Sequence, residues 1–175
     1  MGTQAIELLT LEEFLARPDR DDDQREELIE GELIVSPGAT APHAKIVRLF
    51  RRHLAALEEQ GYVLVNDSSC VLPPRSMPVP DLAAVRLERW RHAVKTEDWL
   101  TGFPELVIEV SSPSNRRLQR KADVYFDHGA EQVWIVYRKT RTVTVVTTEG
   151  SKEARLGEAV EFHGVRVPVA SIFPE

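Results

Sequence analysis

Three carboxylates and one amine stand in or beside apolar segments of the sequence, where a charge is costly unless it has a partner. They are Glu27, Asp81, Glu109 and Lys121. Hard oxygen ligands in this number suit Mg²⁺ or Mn²⁺, which take one or two carboxylates and keep several waters. Such an ion lowers the pKa of a bound water and polarises a phosphodiester, while a nearby lysine orients or deprotonates that water. The set therefore predicts metal-assisted phosphodiester hydrolysis.

Glu109 is the most informative of these residues because it lies in the middle of an apolar run. The run 106–110 has the sequence Leu-Val-Ile-Glu-Val, which is typical of a buried strand. A buried Glu109 needs a cation, a proton or a metal. The alternative is a strand with one solvated face, on which Glu105, Val107, Glu109 and Ser111 all meet water.

Lys121 lies on the next predicted helix, whose apolar stripe is formed by Leu118, Ala122 and Tyr125. At about 100° per residue, Lys121 falls on the flank of this stripe and leans towards the sheet that the helix covers. The alternative is a lysine whose methylenes pack on the sheet while its amine extends to solvent.

Other hydrolytic and nucleotide-binding chemistries lack their motifs. The sequence has no Gly-x-Ser-x-Gly elbow, no P-loop and no Gly-x-Gly-x-x-Gly. None of its histidines has His-Glu-x-x-His spacing, which disfavours a zinc hydrolase. His43 precedes the long predicted helix, where it is either a capping or packing residue or part of the site lining.

The predicted elements place these side chains around a strand–helix–strand crossover at Glu109. Upstream of it the sequence predicts a capped helix at 10–17, a hairpin at 26–35 that turns at Glu30-Gly31, and a long helix at 42–60. Strands are predicted at 62–65, 69–72, 80–85, 106–110, 133–137, 142–146 and 165–169, with a helix that follows the turn 112–115 and ends at Gly129. The charged segment 86–102 is interpreted as an irregular covering loop with a helical turn.

Basic residues crowd the second half of the long helix. They are Arg48, Arg51, Arg52 and His53. Two interpretations stay open, since cations are favoured at the negative end of a helix dipole and arginines also bind phosphates.

Length and composition are those of an ordinary globular protein. The 175 residues, 42% of them apolar and 29% charged, predict one domain covering 1–175 with a sizeable core. No apolar run approaches the roughly 18 residues that span a bilayer, and the acidic start differs from a secretory signal. The lone Cys70 cannot form an internal disulfide. We therefore expect a cytoplasmic protein with no membrane partner.

The charge is unevenly distributed along the chain. Residues 1–40 hold 3 basic and 11 acidic side chains, whereas the remainder holds 19 basic and 17 acidic ones. The net charge of -6 therefore belongs to the N-terminal arm, and the rest can present a local basic surface.

The ordered set of motifs resembles a known family. Pro80-Asp81, followed 28 residues after Asp81 by Glu109 in an apolar strand, resembles the PD-(D/E)XK nuclease superfamily. A closer resemblance, over nearly the whole chain, is to the Uma-two-type restriction-endonuclease family. It is carried by the hairpin 27–33, His43, the block PELVIEVSSPSN, the pair Arg120-Lys121 with Tyr125, and Gly129 followed by 133–136.

This resemblance implies an α/β fold with a restriction-endonuclease-like core, in which helices flank a mixed central β-sheet and an N-terminal helix and β-hairpin are added. It also implies Mg²⁺ or Mn²⁺ held by Asp81 and Glu109, with the backbone carbonyl of Val110 and a supporting carboxylate from Glu27. Ser111 stands where the superfamily has lysine, so Lys121 would be a migrated lysine that reaches the site from the following helix.

The function predicted from sequence is that of a metal-dependent endonuclease that cleaves DNA, acts as a homodimer and needs no organic cofactor. The arginines expected to contact the DNA backbone are Arg48, Arg51, Arg52, Arg116, Arg117 and Arg120. His43 and Ser111 are expected to line the site. The alternative is a catalytically degenerate nuclease fold that binds nucleic acid or a protein partner.

Overall fold

The computed structural model describes residues 8–18, 24–111 and 118–173. Its helices are α1 Leu11–Leu15, α2 Ala41–Leu54, α3 Leu87–Thr96, α4 Leu118–Asp127 and α5 Val169–Ile172, and a 3-10 helix, Ala55–Gln60, continues α2. Its strands are β1 Gln24–Ile29, β2 Glu32–Pro37, β3 Tyr62–Val65, β4 Cys70–Val71, β5 Leu82–Arg86, β6 Leu100–Thr101, β7 Leu106–Val110, β8 Gln132–Tyr137, β9 Thr142–Thr147, β10 Gly150–Ala154, β11 Ala159–Phe162 and β12 Val165–Pro168. None of the helices in the described ranges is long and apolar enough to cross a membrane.

A six-stranded mixed sheet forms the centre of the molecule, in the order β10-β9-β8-β7-β5-β3. Strands β7 and β8 are parallel, and every other neighbouring pair in this sheet is antiparallel. Helix α4 lies between β7 and β8 in the chain, as a parallel connection requires. The predicted crossover around Glu109 is therefore confirmed.

Alternate residues of β7 enter two separate cores, one on each face of the sheet. Leu106, Ile108 and Val110 join a core built with α2, α5 and the β11–β12 hairpin. Val107, on the other face, joins a core that includes Ala122 and Tyr125 of α4. By the same alternation, Glu109 faces α4.

The β1–β2 hairpin lies outside the central sheet and packs near α4. Its turn has positive φ at both central residues, 49° at Glu30 and 86° at Gly31, as a two-residue type I′ turn requires. Leu28 forms a bridge to Met77, which joins the hairpin to the segment before β5. The predicted turn at Glu30-Gly31 is confirmed.

One sequence prediction of secondary structure needs correction, and two strands were not predicted. Segment 86–102 is not irregular, because it holds the ten-residue helix α3 and the short strand β6. The strand predicted at 165–169 is present as β12, and it pairs with β11, a strand that was not predicted. The edge strand β10 was missed as well.

Candidate active site

A cleft of about 410 Å³ opens at the edge of the sheet where β7 and β8 end. The remaining walls come from the β1–β2 hairpin and the start of α2. The residues predicted from sequence that line it are Glu27, His43, Asp81, Glu109, Val110, Ser111 and Lys121. The structure thus brings together side chains that are far apart in the sequence.

Asp81, which directly precedes β5, lies opposite Glu109 of the neighbouring strand β7. Leu82 of β5 pairs with Ile108 of β7, so the antiparallel register continued by one residue places Asp81 opposite Glu109. Directly opposed residues of an antiparallel pair project from the same face, with Cβ atoms about 5 Å apart. Both carboxylates are 3% exposed and line the same cleft.

Asp81 is held as a carboxylate by three groups around it. The Val110 N–H donates to Asp81 Oδ2 at 2.8 Å, and Arg25 donates to Oδ1 at 3.1 Å. His43 Nε2 lies 3.0 Å from Oδ2, within ion-pair distance. Burial by itself would raise the pKa of Asp81, but His43, the Val110 N–H and Arg25 together lower it below its ordinary value.

Lys121 places its amine between two buried glutamates. Its Nζ lies 2.7 Å from Glu109 Oε1 and 2.8 Å from Glu27 Oε1, and the residue is 5% exposed. Burial would lower the pKa of Lys121, but the two carboxylates raise it above its ordinary value. Lys121 is therefore a buried ammonium, and the interpretation that its amine extends to solvent is wrong.

Glu109 is buried on the face that carries α4, so the solvated-face interpretation is also wrong. Its Oε1 accepts from Tyr125 Oη at 3.2 Å as well as from Lys121. Burial raises the pKa of Glu109 to about 8, because the opposing effect of Lys121 is partly offset by Asp81 and Glu27. Without a further cation, Glu109 therefore tends to hold a proton at neutral pH.

Glu27 is positioned from its own strand and from the segment before β5. The Val79 N–H donates to Glu27 Oε1 at 2.7 Å, and the same oxygen accepts from Lys121. The residue is 3% exposed. Glu27 is therefore a second carboxylate partner for the ammonium of Lys121, beside Glu109.

The charges of this cleft suit a divalent cation. When all three are ionised, the buried carboxylates Glu27, Asp81 and Glu109 outnumber the two cations that pair with them, Lys121 and Arg25. In the described ranges no three His, Cys, Asp or Glu side chains converge on one point as a metal cage. Mg²⁺ takes only one or two carboxylates, with waters and carbonyl oxygens completing its shell. The residues present therefore fit Mg²⁺ or Mn²⁺ at Asp81 and Glu109.

A second groove of about 340 Å³ shares His43 and Asp81 with the cleft and runs along α2. Arg48 and Arg51 line it. Arg51 donates to the Leu64 carbonyl and to Asn66 Oδ1, both at 2.7 Å, so it also fixes the end of β3. Arg48 is exposed along the groove.

The other arginines predicted to contact DNA differ in their surroundings. Arg52 is exposed on α2 but lines neither the cleft nor the groove. Arg120 pairs with Glu30 and Glu32 on the hairpin, so a DNA contact would require it to leave these carboxylates. Arg116 and Arg117 lie outside the described residues.

The sequence reading missed two basic residues of the cleft, Arg25 and Arg138. Arg25 lies two positions before Glu27 on β1, so strand alternation could have placed them on one face. Arg138 directly follows β8, and no local pattern marks it. Tyr125 was recognised as part of the apolar stripe, but not as a donor to Glu109.

Comparison with known proteins supports the fold and a family. A model of the Uma2 family, described as "Putative restriction endonuclease", matches residues 11–174. A crystal structure described as that of "a putative nuclease belonging to DUF820", from Anabaena variabilis ATCC 29413, superposes with a TM-score of 0.76 at 20% identity. The similarity covers 94% of this chain and 97% of that one, and it confirms the predicted fold class. No curated protein matches the sequence significantly.

Proposed function

The chain belongs to the Uma2 family of nucleases, described as "Putative restriction endonuclease", and on that premise we propose that it is a metal-dependent endonuclease that hydrolyses DNA phosphodiester bonds. One observation carries the proposal. A buried ammonium, Lys121, lies against Glu109 in the cleft where Asp81 stands on the same sheet face. A purely structural ion pair would not need a second, facing carboxylate at the end of a strand.

The charged residues predicted from sequence that line the cleft have separate parts in this proposal. Asp81 and Glu109 would hold Mg²⁺ or Mn²⁺, with the carbonyl of Val110 as a further oxygen. When bound, the ion supplies a water of lowered pKa and polarises the phosphodiester. Lys121, with its raised pKa, acts as a cation that orients the water and offsets the charge developing on the phosphate. Glu27 keeps the amine in place.

The DNA backbone is proposed to approach along the groove beside α2. Arg48 is exposed there, and the groove joins the cleft at His43 and Asp81. Arginine forms bidentate contacts with phosphates, and such contacts weaken with rising salt. Contacts from Arg51, Arg52 and Arg120 remain predictions.

A second function, as a binding module without catalysis, is favoured by one feature. Ser111 stands at the usual lysine position, and Asp81 and Glu109 are both already paired with cations of the chain itself. A fold that had lost its metal would be expected to keep such cation partners for Asp81 and Glu109. This alternative predicts DNA or protein binding without any cleavage.

Nicking of supercoiled plasmid DNA separates the two functions. The protein is incubated with plasmid and either Mg²⁺ or Mn²⁺, beside the variants Asp81→Ala and Glu109→Ala. We expect the unaltered chain to convert supercoiled DNA to open circles and both variants to lose at least about a hundredfold in rate, as removal of a group that stabilises the transition state does. Equal nicking by all three proteins would exclude the assigned site, and no nicking with either metal would favour the binding module.

A further inference from the structure

The cations that line the cleft are not equally available to a substrate. Arg25 is paired with Asp67 at 2.7 Å and Asp81 at 3.1 Å, and Lys121 is paired with Glu27 and Glu109. Arg138 lines the same cleft and has no hydrogen bond or ion pair with any residue in the described ranges. It is thus the cleft's arginine whose guanidinium remains free for an anion.

The position of Arg138 is fixed by the parallel pair at the centre of the sheet. Glu109 pairs with Ile135, and Val110 pairs with Val136, so β7 and β8 end at the same edge. Arg138 lies three residues beyond Ile135, which is about 10 Å further along the strand direction. It is half-buried at the start of the β8–β9 turn and lines the cleft.

The surrounding charge gives Arg138 a specific use. The buried carboxylates of the cleft would repel a phosphodiester strand unless an unpaired cation in the cleft received a neighbouring phosphate. The free guanidinium of Arg138 can donate two parallel N–H groups to phosphate oxygens, whereas a lysine ammonium acts as a point charge. Arg48 lines only the adjoining groove along α2, whereas Arg138 lines the cleft itself.

We propose that Arg138 binds the DNA phosphate adjacent to the scissile one and so sets the position of the strand across the cleft. The inference rests on the proposed function, since it requires DNA in the cleft. It predicts that Arg138 contributes to binding and to KM, whereas Asp81, Glu109 and Lys121 carry the chemistry.

The test measures DNA binding and nicking with Arg138→Ala, Arg138→Lys and a matched control, Arg166→Ala. Arg166 is an exposed arginine on β12 that does not line the cleft or the groove. Binding of a fluorescein-labelled duplex is followed by anisotropy in EDTA at several NaCl concentrations. For Arg138→Ala we expect about tenfold weaker binding and a salt slope smaller by about one. For the same variant, KM for nicking should rise while kcat stays unchanged. Arg138→Lys should recover part of the binding, because lysine keeps the positive charge but lacks the paired N–H donors of the guanidinium.

The outcomes separate this inference from the proposed function. One outcome is that the unaltered protein binds and nicks DNA while Arg138→Ala has the same Kd, salt slope and KM as the unaltered protein and Arg166→Ala. That result would overturn the role of Arg138 and leave the proposed nuclease function intact. If Arg138→Ala lowers kcat with an unchanged salt slope, a phosphate-binding role is likewise overturned. If the unaltered protein neither binds nor nicks DNA, the proposed function falls and this inference falls with it.

Discussion

At the scale of single residues, the site is a set of buried charges, and the loss of one charge affects stability differently from the loss of another. Lys121 is the counter-ion of two carboxylates, Glu27 and Glu109. Glu109 is the carboxylate whose pKa is raised, so its neutral form is already favoured without a metal. Removing the charge of Lys121 should therefore destabilise the fold much more than removing that of Glu109.

Lys121→Met should destabilise the fold strongly, because it leaves two buried glutamates without their cation. Breaking a buried ion pair from one side costs about 3–5 kcal/mol. The matched control is Glu109→Gln, which should change the free energy of unfolding by no more than about 1 kcal/mol because the amide oxygen can still accept from Lys121 and Tyr125. Urea denaturation of both variants measures the difference, and equal losses would contradict this account of the charges.

The raised pKa of Glu109 predicts a pH dependence of stability. In the unfolded chain this carboxyl has its ordinary pKa of 4.5, whereas in the fold the pKa is about 8. The folded state therefore binds more protons between these values, and stability should fall as pH rises from 5 to 8, by at most about 1.4 kcal/mol per pH unit. The lowered pKa of Asp81 acts only below about 3.8, and the raised pKa of Lys121 acts only above 10.5.

The measurement for this prediction is urea denaturation at pH 5, 6, 7 and 8, performed on the unaltered protein and on Glu109→Gln. The variant should lose the slope between pH 5 and 8, since it has no proton to release at this position. A slope that persists unchanged in Glu109→Gln would show that other groups cause it.

At the scale of secondary-structure elements, the β1–β2 hairpin and α4 position the site together. Arg120 of α4 binds Glu30 and Glu32 on the hairpin and also reaches the Ile29 carbonyl at 3.4 Å. These contacts lie next to the pairing of Lys121 with Glu27. The hairpin turn is also enclosed, since Gly31 donates to the Arg75 carbonyl at 2.7 Å and accepts from the Leu9 N–H at 2.8 Å.

Gly31→Ala should therefore be costly for two reasons. The position has φ +86°, and an added Cβ would lie 2.9 Å from the Leu9 carbonyl oxygen. Gly157→Ala is the matched control, because Gly157 has φ +92° and nothing within 4 Å of the added Cβ. The control should lose about 1–2 kcal/mol from its left-handed backbone alone. Gly31→Ala should lose about 1–3 kcal/mol more from the steric contact, measured by urea denaturation. Equal losses of stability in Gly31→Ala and Gly157→Ala would show that the hairpin turn shifts enough to relieve the contact with Leu9.

The elements that the sequence predicts correctly are those with strong local signals. The apolar run around Glu109 and the Glu30-Gly31 turn each have one low-energy interpretation. Helix α3 was missed because exposed charged residues dominate its sequence and it buries only Ala93. Strand β10 was missed because four of its five residues are exposed, so no alternation marks it as an edge strand.

At the scale of the whole molecule, the cleft is assembled from segments that are remote in the chain. Glu27, Asp81, Glu109 and Lys121 could be predicted because each is a charge in or beside an apolar pattern. Arg138 could not, since it follows a strand in a turn where arginine is unremarkable, and only the parallel pairing of β7 and β8 brings it to the cleft. The homodimer expected from the sequence stays a prediction, which light scattering in solution would check.

We propose that Asp81 and Glu109 together hold one divalent ion, and titration calorimetry with Mn²⁺ measures this binding without reference to cleavage. At pH 8, where Glu109 gives up its proton most readily, the unaltered chain should bind one ion per chain at this site. Asp81→Asn and Glu109→Gln should each abolish this binding, whereas Arg138→Ala should retain it. Unchanged Mn²⁺ binding in Asp81→Asn and Glu109→Gln would contradict the shared site.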